Sequence, residues 1–199
     1  HVQKRYMLDD MLLDVNSGHN ITKTVFIECG AMFRAEGPPH MAYIGETEFV
    51  NGIAAMSASG IYGSTQIAAG IVGSAPIRLG DKPSAEALDA QIVAGNGRFR
   101  GIRVGGTWDA SPDVENHRTN PPEGMYGDGT FREGFKHLGQ RGLTFEGWCY
   151  HTQIPELTDL AKAFPDTTII LDHFGGPIGV GPYAGKEDEV FEVWRKAIG

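Results

Sequence analysis

The chain has 199 residues, 41% of them hydrophobic, and a formal net charge of −8. This length supports one domain with a sizeable core, and no segment approaches the roughly 18 consecutive apolar residues of a membrane helix. The negative charge and the scattered Lys and Arg residues argue against nucleic acid as a partner. We therefore expect a cytoplasmic, single-domain protein that binds neither membranes nor nucleic acid.

Five apolar segments predict β-strands, and each is followed by a segment with helical periodicity. The strands are expected at 23–29, 65–72, 99–104, 143–150 and 167–172. A helix precedes the first strand, because apolar residues recur there at helical spacing, at Leu8, Met11, Leu12 and Val15. This alternation is typical of β/α units with a parallel sheet.

Apolar faces and capping signals predict the remaining helices. The first two should carry, respectively, the faces Phe49, Ile53 and Met56, and Leu88 and Ile92. Thr130 and Glu133 form a capping-box pattern ahead of the next helix, and Thr152 can cap the one after it. The last helix is expected at about 187–198.

The connections are unequal in length, which indicates where a site would lie. Segments from strand to helix are long, at about 30–46, 105–129 and 173–186, whereas those from helix to strand are short. The long loops therefore gather at the carboxyl ends of the strands, where barrel enzymes bind their ligands. Periodicity alone does not distinguish an open doubly wound sheet from a closed barrel.

Two histidines follow neighbouring strands at equivalent positions, His151 after the fourth and His173 after the fifth. Neighbouring strands lie about 4.8 Å apart, so both imidazoles can converge on one ion or one substrate. Neutral imidazole is a common zinc ligand, and a metal-bound water can become a nucleophile near neutral pH. The alternative is that each histidine only hydrogen-bonds a loop backbone.

Several charged residues also fall at strand ends. Glu28 ends the first strand, where it could be a ligand, a proton acceptor or a partner orienting a histidine, or simply a solvated or Arg-paired carboxylate. Arg103 lies in the third strand and needs an anionic partner such as a substrate carboxylate or Glu28. Arg100 and Arg103 cannot both face inward, and the pattern does not say which does. Alternation along the strand sends Asp172 away from His173, so Asp172 is expected to be a structural acceptor or cap.

The loop 105–129 is the longest connection and combines Trp108, Asp109, His117 and Arg118 with prolines and glycines. Such a loop could cover a site and hold a polar substrate. The alternative is a solvated loop held by local turns. Cys29 and Cys149 are the only cysteines, which excludes a zinc site built on cysteine ligands and favours buried, reduced thiols.

The segments "FRGIR", "WCYHTQIPEL" and above all "LDHFGGPIGVGPYAG" resemble the amidohydrolase superfamily, in the branch of pyrone-dicarboxylate lactonase-like and sugar-lactone hydrolases. The resemblance implies an α/β fold, a TIM (β/α)8 barrel of the amidohydrolase type, with its site at the carboxyl ends of the strands. The five strands look like the second to sixth of eight. We therefore expect 1–199 to be one partial barrel domain, the central part of a longer enzyme that lacks here the first and the last two strands.

The resemblance also implies a hydrolase that opens a lactone or ester C–O bond. His151 and His173 match the family's histidines after the fifth and sixth strands, and would act catalytically and bind a divalent metal, zinc in first place, although some relatives work without metal. With Glu28 as a further catalytic group, the expected substrate-binding residues are Arg103, Trp108 and Arg118. The substrate would be a small carboxylated or sugar-derived molecule, and assembly into a homo-oligomer stays open. The alternatives are a non-oxidative decarboxylase of the same superfamily and a non-catalytic ligand-binding domain.

Overall fold

The computed structural model describes residues 5–199 and divides them into two compact units. The first unit comprises the residues up to Gly73 together with Asp89–Arg100, and the second comprises Ser74–Leu88 and Gly101–Gly199. Whether 1–199 forms one partial barrel domain without the first and last two strands stays a prediction.

Within residues 5–199, six α-helices alternate with five β-strands. The helices are α1 (Leu8–Val15), α2 (Ile44–Ala58), α3 (Asp81–Ala94), α4 (Gly129–Gln140), α5 (Ile154–Ala163) and α6 (Glu187–Ile198). The strands are β1 (Lys23–Ile27), β2 (Gln66–Gly73), β3 (Phe99–Gly105), β4 (Thr144–Trp148) and β5 (Ile169–Leu171). No helix of this described range is long and apolar enough to cross a membrane.

The described strands form one sheet in the order β1-β2-β3-β4-β5. The pairings of β1 with β2, β3 with β4 and β4 with β5 are parallel. The five predicted strands and their parallel arrangement are therefore confirmed, and each observed strand begins and ends within two residues of its predicted range. Sequential order is what short crossovers through one helix produce.

In the first unit, α2 packs against β2 and buries a face that differs from the prediction. The helix begins at Ile44, three residues before Thr47, and its buried apolar residues are Ile44, Val50 and Ala54. Met56 of the predicted face is 42% exposed. The turn before Thr47 is also helical and largely buried. The buried face of the helix therefore lies one position further along the chain than the predicted face.

In the second unit, an aromatic cluster fixes β4 against α4. Phe145 of β4 is fully buried, and its ring centroid lies 4.9 Å from that of Phe135 and 6.1 Å from that of Phe131. Tyr126 completes the cluster, and its hydroxyl donates to the carbonyl of Trp148 over 3.1 Å. Because Trp148 is the last residue of β4, this packing also holds the carboxyl end of that strand.

Two predicted helix caps are wrong. Asp128, and not Thr130, caps α4: its extended backbone precedes the helix and its Oδ1 accepts from the N–H of Phe131 over 2.8 Å. Thr130 lies inside the first turn of the helix. Thr152 does not cap α5, because residues 151–153 form a 3-10 turn and the helix itself begins at Ile154.

The two candidate caps of α4 can be compared by mutation. We expect Asp128→Ala to lower the free energy of unfolding by about 1 kcal/mol, since a backbone N–H of the first turn loses its acceptor. Thr130→Ala is the matched control and should change stability by less than about 0.5 kcal/mol. Urea denaturation of both variants measures this, and a larger loss for Thr130→Ala than for Asp128→Ala would contradict the assignment.

Candidate functional site

The carboxyl ends of three parallel strands meet at one edge of the second unit. Gly105, the last residue of β3, is in register with Trp148, the last residue of β4. Gly147 is in register with Leu171, the last residue of β5. His151 opens the turn that follows β4, and His173 comes two residues after β5, so both histidines lie at this edge.

His151 is buried, with 1% of its surface exposed. Its backbone N–H donates to the carbonyl of Gly176 over 3.3 Å, and its ring meets the ring of Tyr183 edge-on at a centroid distance of 5.3 Å. Burial lowers the pKa of His151, while the Asp109 carboxylate and the Gly176 backbone oppose that shift. The imidazole is therefore held neutral, and its Nδ1 is buried without a hydrogen-bond partner among the described residues. A neutral ring with an unpartnered nitrogen can accept a proton, bind a metal or donate to a substrate.

A chain of contacts ties His151 to the loop 105–129. The hydroxyl of Tyr183, whose ring contacts His151, donates to Oδ2 of Asp109 over 2.8 Å. Asp109 is fixed in turn, because its backbone N–H donates to Oδ1 of Asn116 over 2.7 Å. Burial and the hydrogen bond to Asp109 raise the pKa of Tyr183, so its phenol keeps the proton that it donates.

His173 lies in a left-handed turn that directly follows β5. The φ angles of His173, Phe174, Gly175 and Gly176 are 50°, 57°, 70° and 29°. For the two residues that carry a Cβ, this conformation costs about 1–2 kcal/mol each. The strand alternation used to predict the directions of Asp172 and His173 does not apply here, because the strand has already ended and Asp172 begins the turn.

The turn is held by contacts on both sides. A Cβ on Gly176 would lie 2.7 Å from the ring of Trp148, so the backbone here approaches that ring as only glycine allows. The ring of His173 packs edge-on against Trp148 at a centroid distance of 4.5 Å. Across the turn, the N–H of Gly176 donates to the carbonyl of His173, and Nε1 of Trp194 in α6 donates to the carbonyl of Phe174.

The two histidines are thus joined through the same pair of residues. His173 contacts Trp148, Trp148 packs on Gly176, and the Gly176 carbonyl accepts from His151. In the part of the chain that the structure describes, however, no group of three or more His, Cys, Asp and Glu side chains is placed to hold a metal ion. Zinc sites in proteins use three or four such ligands, so these residues do not fit a complete zinc site by themselves.

Arg103 pairs with a residue that the sequence reading did not assign to it. Its Nη1 lies 3.9 Å from Oδ2 of Asp172, and the two side chains are 21% and 11% exposed. Arg103 is also in register with the buried Glu146 of β4. Arg100, by contrast, is exposed, and its guanidinium donates to a backbone carbonyl. The sequence signal for this pair was an arginine in one strand and an acid that follows a nearby strand at the same edge. Asp172 was expected to be a structural acceptor or cap, but Arg103 was not named as its partner.

A cavity of 270 Å³ lies beside the His173–Trp148 contact. Its lining combines loop residues with the end of β4: Thr107, Glu115, Asn116, His117, Arg118, Trp148 and Tyr150. Of the predicted substrate-binding residues, Arg118 lines this cavity. Trp108 is not one of the residues that line it. Trp108 is half-buried, and its backbone N–H donates to Oε1 of Gln153 over 3.0 Å. The aromatic residues of "WCY" at the end of β4 were the sequence signal that could have located the cavity.

Gly105 makes room for this cavity's loop wall. A Cβ at this position would lie 2.3 Å from Nε2 of His117, so the imidazole packs directly over the end of β3. The N–H of His117 donates to the carbonyl of Thr107 over 2.9 Å, and the hydroxyl of Tyr150 donates to the carbonyl of Glu115. The loop 105–129 is therefore bonded to itself between Thr107 and His117, and to the segment after β4 through Tyr150.

Glu28 belongs to the first unit, where it is 3% exposed and its N–H donates to the carbonyl of Val72. The neighbouring Cys29 is exposed, which corrects the prediction of two buried thiols, whereas Cys149 is buried as expected. Oε1 of the buried Glu46 accepts from the thiol of Cys29, from its backbone N–H, and from the N–H of Ala31. Partial burial of the sulfur, followed by the Glu46 carboxylate, raises the pKa of Cys29 to about 11.

Comparisons with known proteins identify the class of protein that this fold and these strand ends define. The family model described as Amidohydrolase matches residues 64–199. The uncharacterized protein y4mH of Sinorhizobium fredii is 33% identical over 197 residues, which cover 99% of this chain and 56% of that protein. The chain belongs to the amidohydrolase family, and it spans about half the length of this relative.

Two crystal structures of an amidohydrolase from Burkholderia multivorans resemble the fold. The one with bound zinc is 19% identical, covers 97% of this chain and 54% of its own, and has a TM-score of 0.59. The one with bound HEPES is 15% identical, covers 89% and 65%, and has a TM-score of 0.50. The predicted fold class, an incomplete (β/α)8 barrel of the amidohydrolase type, is confirmed. The roles assigned to His151, His173, Glu28, Arg103, Trp108 and Arg118 stay predictions.

The thiol of Cys29 gives a test that depends on pH. With a pKa of about 11, its thiolate fraction at pH 8 is about 100-fold below that of an ordinary thiol, so we expect iodoacetamide to react correspondingly slowly. The rate should rise about tenfold per pH unit up to pH 10, and Glu46→Gln should raise it at pH 8. Mass spectrometry of the Cys29 peptide measures the rate, in a protein that carries Cys149→Ser so that the second thiol is absent. A Cys29 rate equal to that of the unfolded chain would contradict the assignment.

Proposed function

We propose that this chain forms part of a hydrolase that opens a lactone or similar C–O ester bond in a small, carboxylated or sugar-derived molecule. The observation that carries the proposal is the cavity bounded by the loop 105–129, Trp148 and Tyr150, with the ring of His173 packed against Trp148. This arrangement lies at the carboxyl ends of parallel strands, the position that barrel enzymes use for catalysis.

The lining of the cavity suits such a substrate. The guanidinium of Arg118 matches the planar geometry of a carboxylate, and Asn116 adds an amide that can donate or accept. The rings of Trp148 and Tyr150 provide apolar faces for a sugar or lactone ring. Arg103 and Trp108 remain proposed substrate-binding residues, with Arg103 placed beside Asp172.

The proposed reaction is addition of water to the ester carbonyl. A bond forms between the water oxygen and the carbonyl carbon, the C–O bond of the ester breaks, and the water's proton ends on the departing alkoxide oxygen. His173 is the proposed carrier of that proton, because it contacts a wall of the cavity. His151, buried and neutral, is proposed to stabilise the charge on the carbonyl oxygen. Glu28, in the first unit, stays a predicted catalytic group.

A divalent metal, zinc in first place, is proposed as the cofactor of the whole protein. The support is the zinc in the similar Burkholderia multivorans structure and the unpartnered Nδ1 of His151 among the described residues. His151 and His173 would each contribute an imidazole. Since the described residues do not complete a ligand set, the reaction above is derived without the metal. The proposed partners are otherwise confined to the small-molecule substrate, the cytoplasm is the proposed location, and homo-oligomer formation stays open.

Replacement of the two histidines in the full-length protein tests the function. We expect His151→Asn and His173→Asn each to lower kcat/KM for lactone opening at least about 100-fold, the effect of removing a group that acts on the reacting atoms. His19→Asn, a substitution at an exposed position of the first unit, is the control and should leave the rate unchanged. Unchanged turnover in both variants would contradict the assignment of the two histidines, and absence of turnover in the wild-type protein would favour a binding domain. Release of carbon dioxide in place of ring opening would favour decarboxylation.

Metal content provides a separate test of the cofactor. We expect purified full-length protein to contain close to one zinc ion per chain, and a chelator that removes it to abolish activity until zinc is restored. His151→Asn should lower the zinc content, because one imidazole ligand is lost, whereas His19→Asn should not. Elemental analysis measures both. Full activity in protein that contains no metal would contradict the metal assignment and leave the hydrolase assignment standing.

A further inference from the structure

The left-handed turn 173–176 needs an external support. His173 and Phe174 both carry a Cβ at positive φ, a conformation that relaxes toward ordinary backbone unless its surroundings hold it. Phe174 cannot provide the support with its own side chain, since 79% of its surface is exposed. The contacts that hold the turn must therefore come from its backbone and from neighbouring elements.

Helix α6 supplies one of those contacts through Trp194. The indole Nε1 of Trp194 donates to the carbonyl of Phe174, at the centre of the turn. The indole is in turn stacked on Phe191, with ring centroids 5.5 Å apart and planes 30° apart. Helix α6 also packs against α5 and against the turn 151–153, so the donor is anchored on a fixed element.

The hydrogen bond from Trp194 to the Phe174 carbonyl also constrains His173, the residue before Phe174. Rotation of the Phe174 peptide out of the left-handed region would break the bond to Trp194, and it would also move the carbonyl of His173 away from the N–H of Gly176, which lies 3.2 Å from it. The ring of His173 would then leave its 4.5 Å contact with Trp148. Indole and carbonyl thus keep the imidazole beside the cavity wall.

We propose that Trp194 is a positioning residue for His173, acting through the backbone of the turn 173–176. The proposal rests on the proposed function for the catalytic purpose of His173, whereas the support of the turn by the bond stands on geometry alone. Trp194 is not one of the residues that line the cavity.

The test uses the full-length protein and the variant Trp194→Phe, which keeps an aromatic ring for the stack on Phe191 but removes the donor. We expect amide hydrogen exchange of the peptide covering 172–177 to accelerate about tenfold, as the loss of one hydrogen bond allows, with exchange in β4 unchanged. We expect kcat to fall about tenfold and KM to change less than about twofold. Val193→Ala, at an exposed position of the same helix, is the matched control and should change neither.

A double-mutant cycle separates positioning from a general structural effect. If Trp194 acts through His173, Trp194→Phe should lower kcat in the wild-type background but by less than about twofold in the His173→Asn background. Equal losses in both backgrounds, or unchanged exchange at 172–177, would overturn the proposal. If His173→Asn itself keeps full activity, the proposed function fails and the positioning role fails with it, while the exchange data still decide whether the bond supports the turn.

Discussion

Close packing around Trp148 is the constraint on which the candidate site depends. Trp148 ends β4, its backbone carbonyl accepts from the hydroxyl of Tyr126 in the aromatic cluster, and its ring contacts that of His173. The same ring leaves no space for a Cβ at Gly176, whose carbonyl binds the backbone of His151. One side chain therefore fixes the distance between two loops that follow different strands, and it also forms a wall of the 270 Å³ cavity. The packing of α4 on β4 reaches the site through this residue.

The architecture was largely predictable from the sequence, because buried parallel strands appear in it as apolar runs and helices as apolar residues that recur with a period of about 3.6. All five strands and the range 187–198 of α6 follow from those patterns. Capping was less predictable. Asp128 and Thr130 both have the chemistry of a cap, and only the backbone conformation of Asp128, set by the preceding 3-10 turn 125–127, decides between them.

The positions of the two candidate histidines were predictable from the sequence, but their detailed surroundings were not. Unequal loop lengths placed the candidate residues at one edge of the sheet, and His151 and His173 do follow β4 and β5 there. The left-handed turn was not predicted, because strand alternation was extended two residues past the end of β5. Asp172 was predicted to be a structural acceptor or cap, but its pairing with Arg103, at 3.9 Å, was not predicted. Contacts between loops, such as Tyr183 with Asp109, depend on distances across 74 positions of sequence that no local pattern encodes.

The two glycines of the turn have a consequence for how the protein can vary. A methyl group at position 175 would press on Ile154 at 2.6 Å, and one at position 176 on the indole at 2.7 Å, so steric exclusion and positive φ act together at both positions. Position 174 has the same handedness but faces solvent. A saturation library selected for folded protein would thus be strongly enriched in glycine at two consecutive codons, while the preceding codon would tolerate small and polar replacements and would be enriched in asparagine and glycine.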